Sequence, residues 1–112
     1  MKIAHKNLAD GGWQKLSLCE QLGNIGSEVS RAVHWQNKDE KNFEGAVSRA
    51  LELFDLTLND ERWRARLSEI KMARKVFLDA VSGGNKYKSS LKDLDDYFFS
   101  FAYYARLQSF KD

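Results

Sequence analysis

Leu18-Cys19-Glu20-Gln21-Leu22-Gly23-Asn24-Ile25-Gly26-Ser27-Glu28-Val29-Ser30-Arg31-Ala32 decides the fold. Within it Leu18, Leu22, Ile25, Val29 and Ala32 recur at steps of four, three, four and three, which places them on one stripe of an α-helix. Leu16, Val33 and Trp35 widen the stripe, so the spacing predicts a helix from Trp13 to Gln36. Gly23 and Gly26 lie inside it, although each costs a helix about 1 kcal/mol relative to alanine. Glycine kept at such a price points to a second helix passing close by.

Outward from this stretch the same period repeats three times. Asn37-Lys38-Asp39 is a polar break in which Asn37 or Asp39 can cap the next helix. Phe43, Val47, Ala50, Phe54 and Leu58, with Ala46 and Leu53 beside them, predict a helix over 40–58. Asn59-Asp60 ends it and caps a third helix over 60–82, whose stripe is Trp63, Leu67, Ile70, Phe77 and Val81, interrupted by Arg74. Ser82-Gly83-Gly84-Asn85 reads as a loop, because Gly and Asn accept the left-handed backbone that stops helices. Ser90-Leu91-Lys92-Asp93 resembles a capping box with Asp in the acidic place, opening a fourth helix over 90–109. Its stripe is Leu91, Leu94, Phe98, Phe101 and Ala105.

No stretch alternates as a strand does, and proline is absent, which suits helices with short connections. Short connections favour antiparallel neighbours. The expected architecture is therefore all-α: a lead over 1–12, then a single antiparallel up-down four-helix bundle over 13–112. An apolar content of 43% against 30% charged residues supports a folded core rather than a disordered chain.

Cys19 is the sole cysteine, so no disulfide can form within the chain, and a cytoplasmic setting is expected. Its apolar neighbours predict a buried, chemically quiet thiol. No apolar run reaches the ~20 residues of a membrane span, and no hydrophobic signal segment follows Met1-Lys2-Ile3.

Catalytic patterns are missing. His5 and His34 are the only imidazoles, no Glu-x-x-His pair exists for a dimetal site, and one Cys with two His lacks zinc spacing. Gly83-Gly84 is not followed by the Lys-Ser/Thr of a P-loop. Arg31 and His34 stand too close for the Arg–His pair of the helical HEPN RNases, and His34 reads as a helix-end residue facing terminal carbonyls. The expectation is a non-enzyme with no metal, cofactor or small-molecule substrate.

Two features rise above this background. Arg62, Arg64, Arg66, Lys71, Arg74 and Lys75 crowd the third helix, a stripe able to neutralise phosphates. The other reading is a solvated face paired with Glu44, Glu52 and Asp55 of the preceding helix. The fourth helix carries Tyr97, Phe98, Phe99, Phe101, Tyr103 and Tyr104, more rings than one core stripe can cover. Tyr97, Phe99, Tyr103 and Tyr104 are the candidates for a homo-oligomer interface. Partial burial of the Tyr rings and base stacking are the alternatives.

Trp13-Gln14-Lys15, the run Gln21 to Ala32, and Phe43-Glu44-Gly45-Ala46-Val47-Ser48-Arg49-Ala50-Leu51-Glu52-Leu53 together resemble the short prokaryotic four-helix-bundle proteins. That group includes the rRNA intervening-sequence proteins and the Avd-like accessory proteins of diversity-generating retroelements. The resemblance spans roughly the first half of the chain. Asn24-Ile25-Gly26-Ser27-Glu28 stands where the family has an Asn-Ile-Ala-Glu-Gly-like turn, and the proline often found before it is lacking. The resemblance implies a bundle that assembles into a ring, typically a pentamer. For the Avd-like branch it implies a basic surface that engages a reverse transcriptase and its template RNA. Two functions are expected on these grounds: an oligomeric accessory protein binding nucleic acid or a nucleic-acid enzyme, or a protein-interaction or regulatory bundle without nucleic-acid contact.

Overall fold

Four α-helices carry residues 11–109, the part of the chain that the computed structural model describes. They are α1 (Leu18–Trp35), α2 (Glu40–Leu58), α3 (Leu67–Val81) and α4 (Leu91–Ser109), and no strand occurs among the described residues. Short 3-10 turns precede α1 at Trp13–Lys15 and α3 at Glu61–Arg66. The helices pack as a bundle, with α1 lying against both α2 and α4 along much of its length, while α3 meets α4 only sparingly. Residues 1–10, with His5, lie outside the described residues.

Two helices begin later than the apolar spacing predicts, each for a local reason. Ser17 Oγ accepts from the Glu20 N–H (3.1 Å) while the Glu20 carboxylate accepts from the Ser17 N–H (2.9 Å). This capping box fixes the start of α1 and detaches Trp13–Lys15 as a separate turn. Asp60 caps the segment after α2 by accepting from the Arg62 N–H, but Trp63 sits at φ −103°, ψ 22°, outside helical geometry. The chain winds as a 3-10 turn until Leu67, so the basic segment 62–75 is not one continuous α-helix.

The other boundaries fall where the chemistry asks. Asp39 caps α2 through the Asn42 N–H (3.1 Å), and Asn37 takes a left-handed φ of 63° in the turn after α1. The Ser90–Asp93 box forms in full, at 2.9 and 3.1 Å. Gly83 and Gly84 take φ of 113° and 73°, and a Cβ on Gly84 would stand 2.8 Å from the Ser89 carbonyl oxygen.

Ile25, Val29 and Ala32 of α1, Ala50, Leu53 and Phe54 of α2, Phe77 of α3, and Leu91, Leu94 and Phe98 of α4 form the core. Phe54 is its centre, with ring centroids 5.8 Å from Phe77 and 5.9 Å from Phe98. Burying each such side chain contributes about 1.5–3 kcal/mol. The glycines of α1 explain the α1–α4 contact. A Cβ on Gly26 would come within 2.6 Å of Phe98 Cβ, and one on Gly23 within 3.1 Å of Ala102 Cα.

The predicted stripes need correction at their edges. In α2 the core line runs through Ala46, Ala50, Leu53, Phe54 and Thr57, leaving Phe43, Val47 and Leu58 only partly buried. In α3 Ala80 is buried and Val81 only partly so. Cys19 is half-buried rather than enclosed, because the capping box sets the first turn of α1 at the rim of the bundle.

Candidate interaction surfaces

The six basic residues of segment 62–75 divide into two groups. Arg62 is committed to Asp60: its Nε and Nη2 donate to the carboxylate at 3.0 and 2.7 Å, and Nη2 also donates to the Leu16 carbonyl at 2.8 Å. Its guanidinium lies 4.4 Å from the centroid of the Trp63 ring. Arg66 pairs with Glu69 (2.9 Å), and the half-buried Arg74 pairs with Asp55 across the α2–α3 contact (3.1 Å). Arg64, Lys71 and Lys75 are exposed and make no ion pair among the described residues. The Asp55 pairing anticipated from α2 is thus present, and three of the six cations carry a carboxylate counter-charge.

Arg62 belongs to a buried polar corner that apolar periodicity could not reveal. Trp13 is fully buried although it precedes α1, and its indole N–H donates to Thr57 Oγ1 (3.0 Å). Gln21 Nε2 donates to the Trp13 carbonyl (2.8 Å) and to Asp60 Oδ2 (3.0 Å), while Gln21 Oε1 accepts from the Trp63 indole (2.8 Å). The Arg62 guanidinium, hydrogen-bonded to Asp60, holds that carboxyl at about 2 against the opposing effect of burial, and Gln21 adds to the lowering. Every member has a partner, so the cluster ties the Trp13 turn to the α2–α3 corner. The one legible clue was Gln21 in the otherwise apolar row of α1.

A second buried carboxylate, Glu28, accepts from Arg49 Nε of α2 (2.8 Å) and from Arg31 one turn on. The Arg49–Glu28 pair fastens α1 to α2.

The fourth helix behaves as the excess of rings predicts. Phe98 is fully buried and Phe101 partly so, whereas Phe99 is 67% exposed, Tyr103 55%, Tyr104 51% and Tyr97 39%. Phe99 and Tyr103 stack on the outside, with centroids 6.4 Å apart and planes 19° from parallel. Leu107 continues the ridge one turn further and is also exposed. Tyr97 leans inward, its hydroxyl donating to Glu69 (3.2 Å), and burial together with the Glu69 charge pushes its phenol upward.

Two larger clefts flank α4, besides a small one of about 160 Å³ against α1 at Gly23 and Gly26. One of about 740 Å³ is bounded by Ser17–Glu20, Trp63, Arg66, Tyr104, Ala105 and Gln108, and Cys19 lies on its wall. The other, about 360 Å³, runs between α3 and α4 and is lined by Met72, Ala73, Val76, Leu94 and Tyr97, with Glu69, Ser89 and Asp93 as its polar groups. In the first, Cys19 stands beside Glu20, whose carboxylate is held by the Ser17 N–H in the capping box. Among the described residues no His, Cys, Asp and Glu cluster could hold a metal. His34 is exposed and sets its ring edge-on to Trp35, centroids 4.6 Å apart, instead of bonding the last carbonyls of α1. No helix of the described residues is long and apolar enough to cross a membrane.

Comparison with protein-family models, curated proteins and solved structures gives no match for this chain.

Proposed function

We propose that this chain is a non-enzymatic accessory protein, an antiparallel up-down four-helix bundle acting in the cytoplasm, which assembles with copies of itself through the outer face of α4. The observation that carries this reading is the ridge Phe99, Tyr103, Tyr104 and Leu107, each at least two-fifths exposed on a helix whose other face already fills the core. Contiguous exposed rings of this kind mark interaction sites, and most soluble assemblies are homo-oligomeric. The resemblance of the first half of the chain to the ring-forming four-helix-bundle proteins supports the same reading. Hydroxyl-radical footprinting over a dilution series tests it. Phe99, Tyr103 and Tyr104 are expected to be oxidised when dilute and protected when concentrated. Equal oxidation at every concentration contradicts it.

A nucleic-acid contact, with RNA or with a reverse transcriptase on its template, is the second part of the proposal. It is favoured by Arg64, Lys71 and Lys75, the exposed cations without a carboxylate partner among the described residues. Arg62, Arg66 and Arg74 would have to give up an ion pair to join them. The test is RNA affinity across a salt series for Arg64→Gln/Lys71→Gln/Lys75→Gln. Each lost phosphate contact should flatten the log–log salt slope by about 0.7–0.9. An unchanged slope in the folded variant leaves the protein-interaction bundle as the function.

A further inference from the structure

We draw no further inference here: the strongest candidate, the apolar groove between α3 and α4 walled by Met72, Val76 and Leu94, has its two carboxylates already engaged, Glu69 by Arg66 and Asp93 by the cap at Ser90, and nothing in the structure shows what covers it.

Discussion

Gln21 and Asp60, thirty-nine positions apart, meet in a buried corner where Gln21 Nε2 donates to Asp60 Oδ2 at 3.0 Å. One amide thereby serves the Trp13 carbonyl, the Asp60 carboxylate and the Trp63 indole together. Gln21→Leu keeps the bulk and removes all three bonds. The expected loss is about 2–4 kcal/mol by urea unfolding, below three full penalties because Trp63 is only partly buried and can recruit water. Gln21→Glu places a second carboxylate beside Asp60. It should be at least as damaging at pH 7 and recover as the pH falls and one carboxyl takes a proton.

Asp60 also gives the fold an acid dependence. Its folded pKa of about 2 lies below the ordinary 3.8, chiefly because Arg62 hydrogen-bonds its charged form. The contribution is therefore complete above about pH 4 and is lost as the pH falls through about 2, in total about 2 kcal/mol. Asp60→Asn removes this titration. The stability difference between the unmodified chain and the variant should shrink between pH 4 and pH 2, and a constant difference would contradict the Arg62–Asp60 assignment.

At the α1–α4 contact, alanine replacement has opposing effects. The helix gains about 1 kcal/mol of propensity for each Gly→Ala. Against this, the Gly26 Cβ would stand 2.6 Å from Phe98 Cβ, in the fully packed centre, and something must shift. Overpacking of that kind costs about 1–3 kcal/mol, so Gly26→Ala should lower the urea midpoint. Gly23→Ala meets Ala102 at 3.1 Å near the open end of α4 and should cost less. The reverse order would show that α4 is held less firmly at Phe98 than at Ala102.

Local chemistry made the helices legible. The glycines of α1 announced a close neighbour, Gly83-Gly84 announced a turn, and Ser90–Asp93 announced a helix start, because each depends on a few adjacent residues. The Ser17–Glu20 box was equally readable, yet the apolar stripe running through it suggested an uninterrupted helix from Trp13. The Gln21–Asp60 corner was not readable, since it joins residues from three separate segments and follows no period. For the same reason the partners of the basic residues were only partly readable. Asp60 reaches Arg62 through a kink and Asp55 reaches Arg74 across a helix contact, neither of which spacing alone encodes, whereas Arg66 and Glu69 stand three positions apart and their pairing was readable.

Sedimentation equilibrium of the unmodified chain from nanomolar to tens of micromolar tests the proposed self-association through α4. Phe99→Ser/Tyr103→Ser serves as the comparison, because both rings are exposed and their loss should leave the core intact. The weight-average mass of the unmodified chain should rise with concentration above that of one 12.9 kDa chain. The variant should remain at the single-chain mass with unchanged helix content. A single-chain mass for the unmodified protein across the whole range, or the same rise in both proteins, would contradict it.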